Sequence, residues 1–171
     1  MISTERLVLR RVRAEDWKGL QLIWADAAKS RYARYDKPND LSDVAVQKRI
    51  ARWASFADSD GHMFFAVCLG ETVIGYVAFN KREEGYEVGY CFRSDFHGRG
   101  YARESLSALT ELMKAKGTKL ITAGTALANA PSVRLLERLG FVLTGTEQVS
   151  FYKDENGDDI VFEGGIYELK L

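Results

Sequence analysis

Seven residues in the middle of the chain, Phe96-His97-Gly98-Arg99-Gly100-Tyr101-Ala102, combine alternating glycines with an arginine and a histidine. Glycines at every second position let the backbone turn tightly and bring several N–H groups towards one point. A strand-like run precedes these residues and a helical pattern follows them. The loop therefore ends on a helix N-terminus, with its unpaired donors and positive potential. Such a place can hold a phosphate or pyrophosphate, with Arg99 as supplementary charge. The spacing is not the three-glycine dinucleotide fingerprint, and no Gly-Lys-Ser/Thr follows as in a P-loop. On spacing alone, a plainer reading stands beside the phosphate role: Gly98 and Gly100 only shape a tight turn, and His97 is an ordinary loop residue.

The other reactive side chains form no comparable set. His62 precedes a strand and has no Ser or Cys near it in a nucleophile arrangement. His62 and His97 with scattered carboxylates make no metal signature, so no metal is expected. Cys68 and Cys91 lie inside apolar segments, where buried free thiols are the expected state; they form no disulfide framework.

The elements around the loop follow from periodicity. Residues 6 to 12 read as a first strand. Residues 16 to 27 carry Trp17, Leu20, Ile23 and Trp24 at spacings of three and four, an amphipathic helix. Residues 29 to 41 are polar and aromatic and read as an irregular arm. Ser42 or Asp43 caps a second helix carrying Val44, Ile50, Trp53 and Phe56. Strands are predicted over 63 to 69, 72 to 79 and 86 to 93, with turns at Gly70-Glu71 and over 80 to 85. A helix over 102 to 116 places Ala102, Leu106, Leu109 and either Leu112 or Met113 on one face. A buried strand over 119 to 124 leads to a helix over 130 to 139, entered through Asn129 and Pro131. Residues 141 to 151 and 159 to 169 read as a hairpin.

With hairpins first and crossover helices later, the fold class is α/β: one mixed sheet with helices on both faces, in a single domain over residues 1 to 171. Hydrophobic residues make up 46% of the chain and charged residues 28%, enough for a real core. Lys plus Arg equals Asp plus Glu at 24 each, which argues against nucleic acid as a partner. The N-terminus lacks the apolar stretch of a signal peptide, and no run of about eighteen apolar residues suggests a membrane span. The expected location is the cytoplasm.

Four segments, in order along nearly the whole chain, resemble the GNAT superfamily of acetyltransferases. His97-Gly98-Arg99-Gly100-Tyr101-Ala102 is similar to its acetyl-CoA pyrophosphate loop, with His97 in place of the usual Gln or Arg. Asn129 to Phe141 resembles the family's Asn-x-x-Ser/Ala-x-x-Leu-x-x-x-x-Gly-Phe segment. Thr4-Glu5-Arg6-Leu7-Val8-Leu9-Arg10 and Glu87-Val88-Gly89-Tyr90 resemble the branch of ribosomal-protein N-terminal acetyltransferases. The resemblance implies a mostly antiparallel twisted sheet. The strand with Tyr90, Cys91, Phe92 and Arg93 should splay from the next parallel strand and admit the pantetheine arm of acetyl-CoA. Pantetheine should bond to the backbone at Cys91 and Arg93, and pyrophosphate to the amides of Arg99 to Ala102. Asn129 should lie near the pantetheine and Ser132 near the thiol.

Acetyl transfer to an amine needs a neutral nucleophile, a donor for the oxyanion and a way out for the thiolate. Glu87 is the candidate base, acting through water; the plainer alternative is a strand glutamate paired with Lys or Arg. The N–H of Cys91 or Phe92 is the candidate oxyanion donor. Leu136 stands where many relatives carry a tyrosine acid, leaving Ser132 as a substitute and Tyr152 as a remote one.

The acceptor site is expected between the first two helices and their joining arm. Trp24, Tyr32, Tyr35, Trp53 and the 152 to 159 turn are its candidates, although Trp24 and Trp53 read first as core anchors. Asp36, Asp40 and Glu87 can attract an amine. The implied acceptor is a primary amine, either a protein N-terminus or a small polyamine, amino acid or aminoglycoside. A non-catalytic acyl-CoA-binding module is the alternative from another class. The apolar residues of 160 to 169 would support a homodimer if they form an edge strand; otherwise a monomer is expected.

Overall fold

The computed structural model describes residues 1–171. In chain order the elements are β1 (Ile2–Ser3), β2 (Val8–Arg11), α1 (Trp17–Ala27), α2 (Asp43–Ala54), β3 (His62–Leu69), β4 (Thr72–Arg82), β5 (Gly85–Phe92), α3 (Tyr101–Ala115), β6 (Leu120–Ala126), α4 (Ala130–Arg138), β7 (Val142–Lys153) and β8 (Asp159–Lys170). The eight strands form one sheet in the order β1-β2-β3-β4-β5-β6-β8-β7. Every neighbouring pair is antiparallel except β5 and β6.

The run of apolar residues in β3 is explained by burial on both faces. Met63, Phe65 and Val67 join a core with Leu106, Leu109 and Met113 of α3 and Leu136 of α4. Phe64, Ala66 and Cys68 point the other way, to Leu20, Ile23 and Trp24 of α1 and Val46 and Ile50 of α2. Helices therefore cover both faces, and each large apolar side chain so buried contributes about 1.5–3 kcal/mol. Ser42 caps α2 by accepting from the Ala45 N–H.

The pairing of β3 with β4 steps from Val67–Gly75 to Cys68–Val73, so β4 carries an extra residue at Ile74. Gly75 is needed beside this bulge: a Cβ there would lie 2.3 Å from the Phe92 ring. The bulge and the ring fix where β5 ends and the glycine loop begins.

Two expectations are corrected and one open alternative is resolved. Val44 is 77% exposed, because the buried stripe of α2 runs through Val46 and Ile50 instead. The polar segment over 80 to 85 is mostly strand, since β4 and β5 pair as far as Arg82–Gly85 and only Glu83 and Glu84 turn. Residues 160 to 169 do not form an edge. β8 lies between β6 and β7, and β7 is the edge strand at this end of the sheet, with Val142 and Leu143 exposed.

Candidate active site

β5 and β6 pair only at Tyr86–Ile121 and Glu87–Thr122, then diverge. Backbone groups of β5 on the β6 side lose their partner strand beyond that point. A Cβ added at Gly89 or Gly124 would meet nothing within 4 Å, so the sheet face is uncovered at both positions. Tyr90 and Cys91 are neighbours on β5 and point to opposite faces. Both nevertheless line one cavity of about 540 Å³, so this cavity reaches the open edge of the strand.

On the α3–α4 face, the Tyr90 hydroxyl and Ser132 Oγ are 2.8 Å apart. Burial pushes the Tyr90 hydroxyl up to about 12, against a lowering hydrogen bond from Ser132. Tyr90 is therefore protonated at neutral pH and can lend a hydrogen bond. Asn129 Oδ1 accepts from the Ser132 N–H at 3.4 Å and caps α4. Leu136 is 1% exposed and belongs to the core, so nothing at that position faces the gap.

The glycine loop continues from β5. Gly98 and Gly100 have φ of 72° and 83°, the left-handed region that glycine occupies without strain. Their turns aim a run of backbone donors outward: the N–H groups of residues 98 to 103 find no acceptor within the protein. His97 is not part of this cradle. Its Nε2 donates to the Phe92 carbonyl at 2.8 Å and ties the loop to the end of β5. Arg99 is exposed and its guanidinium makes no internal bond.

The backbone of Arg93 already has partners within the protein. Its N–H donates to the Ile74 carbonyl at 3.0 Å, and its carbonyl accepts from the Phe96 N–H at 3.1 Å. The bulge in β4 thus takes the Arg93 N–H, and the 3₁₀ turn Ser94–Phe96 takes one of the two acceptor positions of its carbonyl. The Arg93 guanidinium pairs with Asp95 and lies over the Phe96 ring.

A brace on the loop was not read from the sequence. Glu104, in the first turn of α3, accepts from Thr4 Oγ1 at 2.6 Å, from the Arg6 N–H at 3.0 Å and from Arg6 Nε at 2.8 Å. Arg6 also donates to the Arg99 carbonyl at 3.0 Å and lies over the Tyr101 ring. Burial alone would raise the Glu104 carboxyl, but the bonds from Thr4 and Arg6 outweigh it and hold it below the usual range. The capping segment thus sits almost a hundred residues away from the helix it steadies.

On the α1–α2 face, Trp24 and Tyr76 wall the cavity, with Phe151 and Tyr152 contributed by β7 and Asp36 and Asn39 by the arm. Trp24 Nε1 donates to the Tyr76 hydroxyl at 3.3 Å. Trp53 stacks on Phe64 with centroids 4.3 Å apart and is a core anchor. Tyr32 and Tyr35 do not line the cavity. Tyr32 accepts from Arg31 at 2.8 Å, and Tyr35 packs edge-on against Phe162. At the short 3₁₀ turn Ala33–Tyr35 these rings take other partners, and Ala33 and the solvent-exposed Asp36 line the cavity instead.

Glu87 does not line the cavity either. Its carboxylate pairs with Arg82 across the tip of the β4–β5 hairpin and is 44% exposed. Cys91 does line it, but burial pushes its thiol up to about 12, which leaves it a poor nucleophile.

Residues 6–142 match the family model described as an acetyltransferase (GNAT) domain. The chain is 26% identical over 144 residues to the uncharacterized N-acetyltransferase YnaD of Bacillus subtilis, covering 81% of each chain. It is 28% identical over 139 residues to the L-methionine sulfoximine/L-methionine sulfone acetyltransferase of Pseudomonas aeruginosa, covering 76% of this chain and 77% of that one. Its fold is similar to that of RimL, the ribosomal L7/L12 alpha-N-protein acetyltransferase solved with coenzyme A. The TM-score is 0.80 at 18% identity, over 98% of this chain and 96% of that one.

Proposed function

The chain belongs to the GNAT family of acetyltransferases, and from that premise we propose that it transfers an acetyl group from acetyl-CoA to a primary amine by direct attack in a ternary complex. The observation that carries this reading is the continuity of three features. Six consecutive free N–H groups lie at the α3 N-terminus, the β5–β6 gap opens beside them, and a cavity reaches that gap from the other face.

In this reading the amides of residues 98 to 103 hold the pyrophosphate, and Arg99 adds charge to the cradle. The backbone of Tyr90 to Phe92, freed by the splay, takes the pantetheine and donates to the oxyanion. The amine enters from the cavity, and its lone pair attacks the thioester carbon as the C–S bond breaks. Tyr90 and Ser132 face the sulfur and stabilise the departing thiolate by hydrogen bonding. Since a thiolate leaves readily, this pair replaces the missing tyrosine at position 136. Holding both reactants in line supplies much of the acceleration, up to about 7–11 kcal/mol in well-oriented systems.

The cavity favours a small amine, because about 540 Å³ under the arm suits a compact molecule. The methionine sulfoximine acetyltransferase among the relatives acts on such a molecule. A protein N-terminus is the second reading, supported by the likeness to the ribosomal-protein enzyme. The unpaired thiols Cys68 and Cys91 fit a reducing compartment, and we place the enzyme in the cytoplasm.

Incubation with acetyl-CoA, small amines and N-terminal peptides tests the reading, with mass spectrometry of acceptors and free thiol as readouts. Acetylated amine with matching thiol release is the expected result. Bound acetyl-CoA with no acetylated acceptor would point to a binding module instead.

A further inference from the structure

Asp36 is the carboxylate in the cavity wall, and its side chain has no hydrogen bond or ion pair with the rest of the protein. The other charges around the cavity are already engaged. Asp26 of α1 accepts from the Ser94 N–H at 2.7 Å and from Ser94 Oγ at 2.8 Å. Arg49 of α2 donates to Asn39 Oδ1 at 2.9 Å and lies over the Trp24 ring. Lys37, beside Asp36 on the arm, has its Nζ over the Phe151 ring. Tyr76 of β4 and Tyr90 and Cys91 of β5 are raised by burial and stay neutral at physiological pH, and Tyr152 of β7 completes the wall. A cation entering this cavity meets Asp36 as its free partner.

Asp36 also stands close enough to influence the reaction face. Its charge is among the influences that raise both the Tyr76 hydroxyl and the Cys91 thiol. Asp36 keeps solvent access, and desolvation by the surrounding wall raises its carboxyl above the usual range. Glu87, by contrast, is held by Arg82 outside the cavity.

We propose that Asp36 receives the ammonium of the acceptor and takes its first proton, and that the acceptor is a small primary amine carried on an apolar body that packs against Trp24, Tyr76 and Phe151. This rests on the acetyltransferase reading above and deepens it. The ammonium gives one proton to Asp36 and thence to solvent. The nitrogen lone pair forms the bond to the acetyl carbon, the C–S bond breaks, and the second proton leaves nitrogen and ends on the thiolate. The products are the amide, free CoA thiol and one proton.

The test uses the full chain, its Asp36→Asn and Asp36→Glu variants, 2-phenylethylamine as acceptor and the quaternary phenethyltrimethylammonium ion as a non-reactive probe. Asp36→Asn should lower kcat/KM for 2-phenylethylamine about 100-fold, with partial recovery in Asp36→Glu. Acetyl-CoA affinity, measured calorimetrically, should stay unchanged in both. The quaternary ion should compete with the amine in the unsubstituted protein and lose that competition in Asp36→Asn. Equal kcat/KM in the unsubstituted protein and Asp36→Asn overturns the role of Asp36. Acetylation of peptide N-termini with 2-phenylethylamine inert overturns the acceptor class. Absence of acetyl-CoA binding in the unsubstituted protein overturns the acetyltransferase reading itself, and is distinguished from the other two by the calorimetry.

Discussion

The two ends of the site are built in opposite ways. At the proposed cofactor end, recognition is backbone: six successive N–H groups, two left-handed glycines and a helix terminus within a few residues of chain. The proposed acceptor end is side chain, and its wall comes from α1, the arm, β4, β5 and β7. A backbone cradle accepts the same phosphate whatever side chains surround it. A wall assembled from five distant segments changes its preference with any of them. One fold can therefore keep a single donor while its acceptor varies.

The sharpest way to break this contrast is Gly100→Val. A β-branched residue at φ 83° is a genuine outlier, and strain of about 1–3 kcal/mol would be relieved by moving the loop. The donors at the α3 N-terminus would move with it. Acetyl-CoA affinity should fall about 100-fold by calorimetric titration. An unchanged affinity would sink the cradle assignment.

Tyr90 and Ser132 lie where the two ends meet, and substitution there should touch neither affinity. Tyr90→Phe and Ser132→Ala should each lower kcat about 10-fold, less than a dedicated acid gives, because the thiolate leaves readily. Both KM values should hold. The double variant should cost no more than either single one if the pair acts as a unit. Additive losses would separate them into independent roles.

A smaller effect is expected from the brace. Arg6→Ala removes the bonds to Glu104 and to the Arg99 carbonyl but leaves every cradle donor in place. Acetyl-CoA affinity should fall about 5-fold as the loop loses its preorganisation. S-acetylpantetheine, which lacks the pyrophosphate, should bind equally to both proteins. A matching loss for both ligands would make Arg6 a general stability residue and dissolve its link to the cradle.

The same division explains what could be read from sequence. The glycine loop, the Ser42 and Asn129 caps and the β7–β8 hairpin are local, so spacing alone located them. The Thr4–Arg6–Glu104 brace is long-range, and nothing in the sequence around Glu104 marks its partners. In the arm, residue type favoured Tyr32 and Tyr35 for packing and Asp36 for charge, and of the three only Asp36, just beyond the 3₁₀ turn at Ala33–Tyr35, lines the cavity. Aromatic character says that a ring wants contact, and both rings found it outside the cavity. The order of β7 and β8 was equally hidden, because a hairpin can join a sheet by either strand.

The smallest expected effect concerns Glu87, and it sharpens the comparison most. Sequence context placed this carboxylate on the strand beside the proposed thioester, which made it the candidate base. In the structure Glu87 has another partner. Glu87 lies at the closed end of the β5–β6 pair, level with Thr122, before the strands part. Its carboxylate turns to Arg82 and shares the solvent with it. Exposed pairs of this kind are worth little, so Glu87→Gln should change kcat by less than about 3-fold and leave stability nearly intact. The measurement is kcat across pH with the best amine from the panel, compared with Asp36→Asn under the same conditions. A large loss in Glu87→Gln beside a small one in Asp36→Asn would return the proton-accepting role to β5. The acceptor end would then owe its chemistry to the strand and only its selectivity to the arm.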